Sequence, residues 1–177
     1  MELTSSELTV LGLVIERPQH GYDLKQVIEQ RGIRQWTDIG FSSIYYLLTK
    51  LEKRGLVGVL EAPVGVKSRR VFQATSAGRE TATRNALALI TDFRTTPHPS
   101  LVGLANLPLL AEHAYAEALR TRLTQVEARI AAVEEAEQAQ APLPPPAREV
   151  FSYSLSLLEA ERSWLTARVQ VPDERQD

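Results

Sequence analysis

Gly40-Phe41-Ser42-Ser43-Ile44-Tyr45-Tyr46-Leu47-Leu48-Thr49-Lys50-Leu51-Glu52-Lys53-Arg54-Gly55 is the stretch whose reading decides the rest of the chain. Both ends of a helix are marked in it. Ser42 or Ser43 can accept from the orphan N–H groups of a first turn, and Gly55 stands where a left-handed residue stops a helix. Ile44, Leu47, Leu48 and Leu51 recur at helical spacing and form one apolar stripe. The remaining face begins with Ser42, Ser43, Tyr45 and Tyr46 and continues with Thr49, Lys50 and Lys53. Hydroxyls at a helix N-terminus, followed by lysines, suit phosphates and base edges. The stretch therefore reads as a DNA-recognition helix.

Composition narrows the classes around it. The 177 residues suffice for one or two small domains, and 44% hydrophobic with 24% charged is ordinary for a globular chain. No run of about 18 apolar residues suggests a membrane span, and Met1 to Glu7 lacks a secretory pattern. Cysteine is absent, which excludes disulfides and thiol chemistry and fits a cytoplasmic location. The net charge of −2 hides an asymmetry: residues 1–84 hold 12 Lys and Arg against 9 Asp and Glu, and residues 85–177 hold 8 against 13. Such a split suggests that only the first half meets a polyanion.

Working outward from the central helix, Thr4-Ser5-Ser6-Glu7 fits a capping box for a first helix. Leu8, Leu11 and Ile15, beside Val10 and Val14, supply its apolar face, and Pro18 stops it. Gln19 to Tyr22 reads as a turn before a second helix to Gln30, with Leu24, Val27 and Ile28 inward; Ile33 to Ile39 is a connector holding Trp36. After Gly55, Leu56 to Glu61 and Arg69 to Ala74 read as two strands around a turn marked by Pro63, Gly65 and Ser68. Thr75 or Ser76 caps a further helix to about Phe93. Three helices, a hairpin and a helix are the order of a winged helix-turn-helix, in which the third helix enters the major groove. Lys67, Arg69 and Arg70 would then lie beside the duplex on the wing, with the alternative for Arg70 of anchoring the strand through an ion pair.

Thr95 to Pro99 marks a boundary. Beyond Pro108 a long helix reaches about Gln138, in which Leu119, Leu123, Val126, Ile130 and Val133 recur at steps of 4, 3, 4 and 3, a coiled-coil period. The proline run from Ala141 to Pro146 reads as a stiff link, followed by a last helix to Val169. On that helix Val150, Leu157 and Trp164 form one column, and Phe151, Leu158 and Leu165 the next. The fold class expected is mainly α: a winged helix-turn-helix domain over residues 1–95, an antiparallel helical dimerisation domain over 96–171, and a polar tail over 172–177. The apolar faces are broad for a helix pair alone, so a homodimer is expected; packing onto the first domain is the alternative.

The first half resembles the PadR family of bacterial transcriptional regulators. The resemblance rests on Leu11-Gly12-Leu13, His20-Gly21-Tyr22-Asp23-Leu24, Ser43-Ile44-Tyr45, Leu51 to Val57, Arg69-Arg70-Val71-Phe72 and Thr75 to Glu80. Phe151 to Leu165 resembles the longer helical dimerisation domain of part of that family. This implies a repressor whose DNA affinity is often altered by small aromatic or drug-like molecules. Many members carry proline where Tyr46 stands, and glycine where Ser42 stands.

The expected contacts with double-stranded DNA are Ser42, Ser43, Tyr45, Tyr46, Lys50, Lys67 and Arg69, with Tyr46 and Lys50 the better candidates for base edges. Lys53 and Arg54, late in the helix, are expected to be solvated. Dimerisation is expected through Leu119, Leu123, Val126, Ile130, Phe151, Leu157, Leu158, Trp164 and Leu165. An aromatic effector would use Trp36, Tyr115 and Trp164, with Phe151 and Tyr153, between the two halves; the alternative is that these side chains are core and dimer contacts. No catalytic residue, metal site or cofactor is expected: the histidines His20, His98 and His113 are scattered, and no HExxH motif or phosphate-binding loop occurs. The contrasting reading is a winged helix used for protein interaction without DNA.

Overall fold

The structure, a computed structural model, describes residues 2–40, 43–60, 70–93 and 97–170. Ser42, Lys67, Arg69, the wing turn and the expected tail at 172–177 lie outside the described residues. The chain divides into two compact units, Met1–Thr95 and Thr96–Asp177.

In the first unit the order is α1 (Ser5–Glu16), β1 (Gln19–His20), α2 (Gly21–Gln30), a 3-10 turn (Ile33–Gln35), α3 (Ser43–Lys53), β2 (Val57–Leu60), β3 (Val71–Ala74) and α4 (Ser76–Thr91). Thr4 and Glu7 form the capping box: the Thr4 hydroxyl accepts from the Glu7 N–H at 3.2 Å, and Glu7 Oε2 accepts from the Thr4 N–H at 2.8 Å. Val10, Leu11, Leu13 and Val14 are the buried face of α1, with Leu8 and Ile15 at its rim. They pack with Leu24 and Ile28 of α2 and with Ile44, Leu47, Leu48 and Leu51 of α3 in one core.

The expected turn at Gln19–His20 is instead a short strand. It pairs antiparallel with β3, Gln19 opposite Phe72 and His20 opposite Val71. The sheet order is therefore β1-β3-β2, so the hairpin carries a third strand on the side of β3 away from β2. This fixes the start of α2 to the hairpin.

The junction between α3 and α4 is held by backbone. Gly55 adopts φ 70°. Its N–H donates to the Glu52 carbonyl at 2.8 Å and the Leu56 N–H to the Leu51 carbonyl at 2.9 Å, the two bonds of a Schellman ending. Thr75 then returns: its N–H donates to the Leu56 carbonyl at 3.1 Å and its hydroxyl to the Gly55 carbonyl at 2.8 Å. The same hydroxyl accepts from the Gly78 N–H at 3.0 Å and caps α4. Gly78 is needed for this approach, because a Cβ there would fall 2.0 Å from the Leu56 carbonyl oxygen.

In the second unit α5 (Pro99–Ala105) and a 3-10 turn (Leu107–Leu109) precede α6 (Glu112–Ala139) and α7 (Pro145–Val169), which pack as an antiparallel pair. The proline run is not all linker. Pro145 and Pro146 form the first turn of α7, where the missing N–H groups would have no partner anyway. Leu119, Val126, Ile130 and Leu165 are buried between the helices, with Leu123 and Leu158 packed against them. Arg122 and Glu161 close an ion pair across the same seam. No described helix is long and apolar enough to cross a membrane.

Candidate nucleic-acid interface

α3 divides into two faces. Ile44, Leu47, Leu48 and Leu51 are buried, while Tyr45, Tyr46, Thr49 and Lys53 are exposed. Tyr45 is exposed by more than half, yet its ring lies against the start of α2: a Cβ on Gly21 would fall 2.6 Å from Tyr45 Cε1. Gly21 thus sets the angle at which this phenol leaves the helix. Tyr46 is exposed more fully still.

The hydroxyls near the helix start are partly committed. Ser43 Oγ donates to the Gly40 carbonyl at 2.6 Å, and Thr49 Oγ1 to the Tyr45 carbonyl at 2.9 Å. A hydroxyl has one hydrogen to give, so in this conformation both remain acceptors. The phenols of Tyr45 and Tyr46 are the better donors toward DNA.

Lys50 lies on the flank of α3 that faces α1. Its ammonium is 2.8 Å from Glu7 Oε1, and Arg54 Nη1 reaches the same oxygen at 2.9 Å. Arg54, expected to be solvated, also donates to the Glu2 carbonyl and is mostly covered. Glu7 is only 1% exposed. Burial by itself would raise its carboxyl pKa. The hydrogen bond from Lys50, the Thr4 N–H and the charges of Lys50 and Arg54 outweigh that, and the net shift is downward. Arg70, at the edge of the described wing, pairs with Glu52 and lies 5.1 Å over the Phe72 ring. Sequence reasoning identified Glu7 as a cap and missed it as the counter-ion of α3, because its partners lie 43 and 47 residues away.

The expected effector residues divide between the two units. Tyr115 and Trp164 both line a groove of about 580 Å³, together with Leu101, Leu104, Leu119 and Leu157, and the Arg122–Glu161 pair stands at its wall. Trp36 belongs to the first unit, at the end of its 3-10 turn, and is not part of this groove. Of the expected dimerisation residues, Leu119, Leu123, Val126, Ile130, Leu158 and Leu165 serve the hairpin within the chain, and Phe151 is half-buried. Leu157, at 57% exposure, stays open with Val150 and Tyr153, and Trp164 is partly open. Among the described residues no cluster of His, Asp and Glu is arranged to hold a metal ion.

A three-stranded wing, a tri-helical core and an exposed third helix define a winged helix-turn-helix protein. Residues 10–84 match the Transcriptional regulator PadR-like family, and the first unit is a domain of that family. No curated protein matches the chain. Among solved structures, Bacillus subtilis PadR in complex with operator DNA is similar at TM-score 0.73 and 19% identity, covering 94% of this chain and 98% of that one. The same regulator in complex with p-coumaric acid is similar at TM-score 0.75 and 16% identity, covering 92% and 95%. The Vibrio cholerae virulence activator AphA is similar at TM-score 0.72 and 19% identity, covering 93% and 96%. The likeness spans both units, including the helical second one.

Proposed function

We propose that this PadR-like transcriptional regulator binds double-stranded DNA as a homodimer on a roughly palindromic operator, in the cytoplasm. It acts as a repressor that a small aromatic molecule releases. The observation that carries the reading is the exposed α3 face of Tyr45, Tyr46, Thr49 and Lys53 behind a fully buried stripe. A helix held that firmly can present side chains to a major groove in fixed register. Ser42, Ser43, Lys67 and Arg69 are assigned to the same interface from the sequence alone, and the likeness in fold to Bacillus subtilis PadR, solved in complex with operator DNA, supports the DNA-binding reading as a whole.

The homodimer rests on α7. Val150, Leu157 and Trp164 recur every seven residues with Tyr153 between, and this column lies outside the buried core of the hairpin. A second copy covers it. The effector rests on the groove beside it: apolar walls, Tyr115 and Trp164 for stacking, and the Arg122 guanidinium for an acidic group. A structure of Bacillus subtilis PadR contains p-coumaric acid, which is such a molecule. Groove and column share Leu157 and Trp164, so an occupant would bind the paired chains with a different affinity from the re-set ones, as any effector must.

A salt-dependent mobility shift with the chain's own upstream region tests the central reading. Binding at low salt that weakens as salt rises is expected; no binding to any duplex at low salt would replace it with a protein-interaction role. A promoter reporter reads the sign, since repression requires that loss of the chain raises transcription. Titration of Trp164 fluorescence in a Trp36→Phe protein with planar aromatic acids tests the effector, and a flat response across the panel removes it.

A further inference from the structure

Lys50 and Lys53 stand on the last turn of α3 and Arg54 follows it directly, and one buried carboxylate on another helix holds Lys50 and Arg54. Glu7 is already fixed by its own helix: Oε2 accepts the Thr4 N–H, and Oε1 takes Lys50 and Arg54. A buried carboxylate is tolerated only when paired, and here both oxygens accept from donors. Lys50 keeps about two-fifths of its side chain exposed, so the pair lies at the rim of the α3 face rather than deep in the core.

We propose that Glu7 is a specificity-determining residue for DNA: by holding Lys50 and Arg54 on the α1 side of α3, it withholds two charges from the phosphates. This rests on the DNA-binding reading above. Non-specific affinity depends almost wholly on how many phosphates are neutralised, while discrimination depends on base-edge and shape contacts. A regulator is useful in proportion to the ratio of the two, because non-specific sites vastly outnumber the operator. Tying back Lys50 and Arg54 lowers the first term and leaves the phenols of Tyr45 and Tyr46 to supply the second. Glu7 touches no DNA in this scheme; it acts through the cations it holds.

The test compares wild type, Glu7→Gln, Lys50→Met and the double variant by fluorescence anisotropy on a random-sequence 30-base-pair duplex, across a salt series. Glutamine still closes the capping box, so Glu7→Gln keeps the start of α1. Its log–log salt slope should be steeper by about 1 to 2 per subunit, with affinity at about 0.1 M salt tighter by roughly tenfold. Lys50→Met alone should leave the wild-type slope unchanged, and added to Glu7→Gln it should take back about 1 of the gain. A purely structural Glu7 would not move the slope in this pattern. An unchanged or shallower slope in Glu7→Gln overturns the proposal, as does a slope reduced by about 1 in Lys50→Met alone, which would mean that Lys50 already meets a phosphate. The second arm decides even if Glu7→Gln fails to fold. If wild type binds no duplex at low salt, the DNA reading itself falls, and with it this proposal.

Discussion

The same substitution, glycine to alanine, should act with opposite sign at two helical positions of the first unit. At Gly78 a Cβ would sit 2.0 Å from the Leu56 carbonyl oxygen and 3.0 Å from its carbon. That neighbour is backbone, fixed by the Leu56 N–H bond to Leu51 and the Thr75 N–H bond to Leu56 itself, so it cannot swing away. α4 must lift by more than an ångström. The overpacking costs about 1–3 kcal/mol, and weakening the Thr75 cap adds about 1 kcal/mol. At Gly12, in the middle of α1, a Cβ meets nothing within 4 Å. There alanine removes the entropic cost of a helical glycine, a gain of about 0.5–1 kcal/mol. For a domain of this size about 1 kcal/mol moves Tm by roughly 4–8 °C. Thermal melts followed by far-ultraviolet circular dichroism at one fixed protein concentration should show the first-unit transition of Gly78→Ala lowered by at least about 8 °C. That of Gly12→Ala should be raised by a few degrees. A Gly78→Ala protein that melts with wild type would refute the claim that the α3–α4 junction is rigid. A strongly destabilised Gly12→Ala would show that the outer side of α1 is covered in the working protein.

Gly21→Ala should leave stability nearly unchanged, because the obstructing atom belongs to the Tyr45 side chain, which can turn; operator affinity should drop while non-specific binding persists, read by competition with random duplex. Glu7 sets a pH dependence. Its folded carboxyl pKa is depressed, so the unfolded chain binds the proton more readily, and the stabilisation is present above the unfolded value and lost as pH falls through the folded one. Urea midpoints should therefore fall more steeply from about pH 5 to about pH 3 in wild type than in Glu7→Gln, and parallel curves would refute this. Leu165→Ala, at a residue with 0% exposure between α6 and α7, should cost about 2–5 kcal/mol, seen as early unfolding of the helical unit. Leu157→Lys should leave that hairpin folded and convert dimer to monomer in sedimentation velocity.

What could be read from the sequence was whatever repeats with a period. α3 announced itself because its stripe and its polar face alternate cleanly and Gly55 ends it. The buried side of α1 was harder, since Leu8 to Ile15 is apolar at all but two places and no period selects Val10, Leu11, Leu13 and Val14. β1 has two residues, too few to show alternation, and only its pairing with β3 makes it a strand. Pro145 and Pro146 look like chain breakers because the prohibition on proline is a prohibition on helix interiors, not on first turns. Both columns of α7 were visible, but not that one serves the chain's own α6 and the other stands open. The ion pairs of Glu7 left no local trace at all: charge complementarity between distant residues appears only after folding has brought them together.

The Thr75-to-Leu56 clasp has a consequence for how such a protein can diversify. With the Thr75 N–H bonded to the Leu56 carbonyl at 3.1 Å, the chain is closed at the base of the hairpin, and α3 and α4 are joined there. Lengthening a loop closed in this way costs only about 0.6 kcal/mol per doubling. Insertions between Leu60 and Arg70 should therefore cost little in folding stability, in evolution or in the laboratory, while the base of the hairpin stays closed.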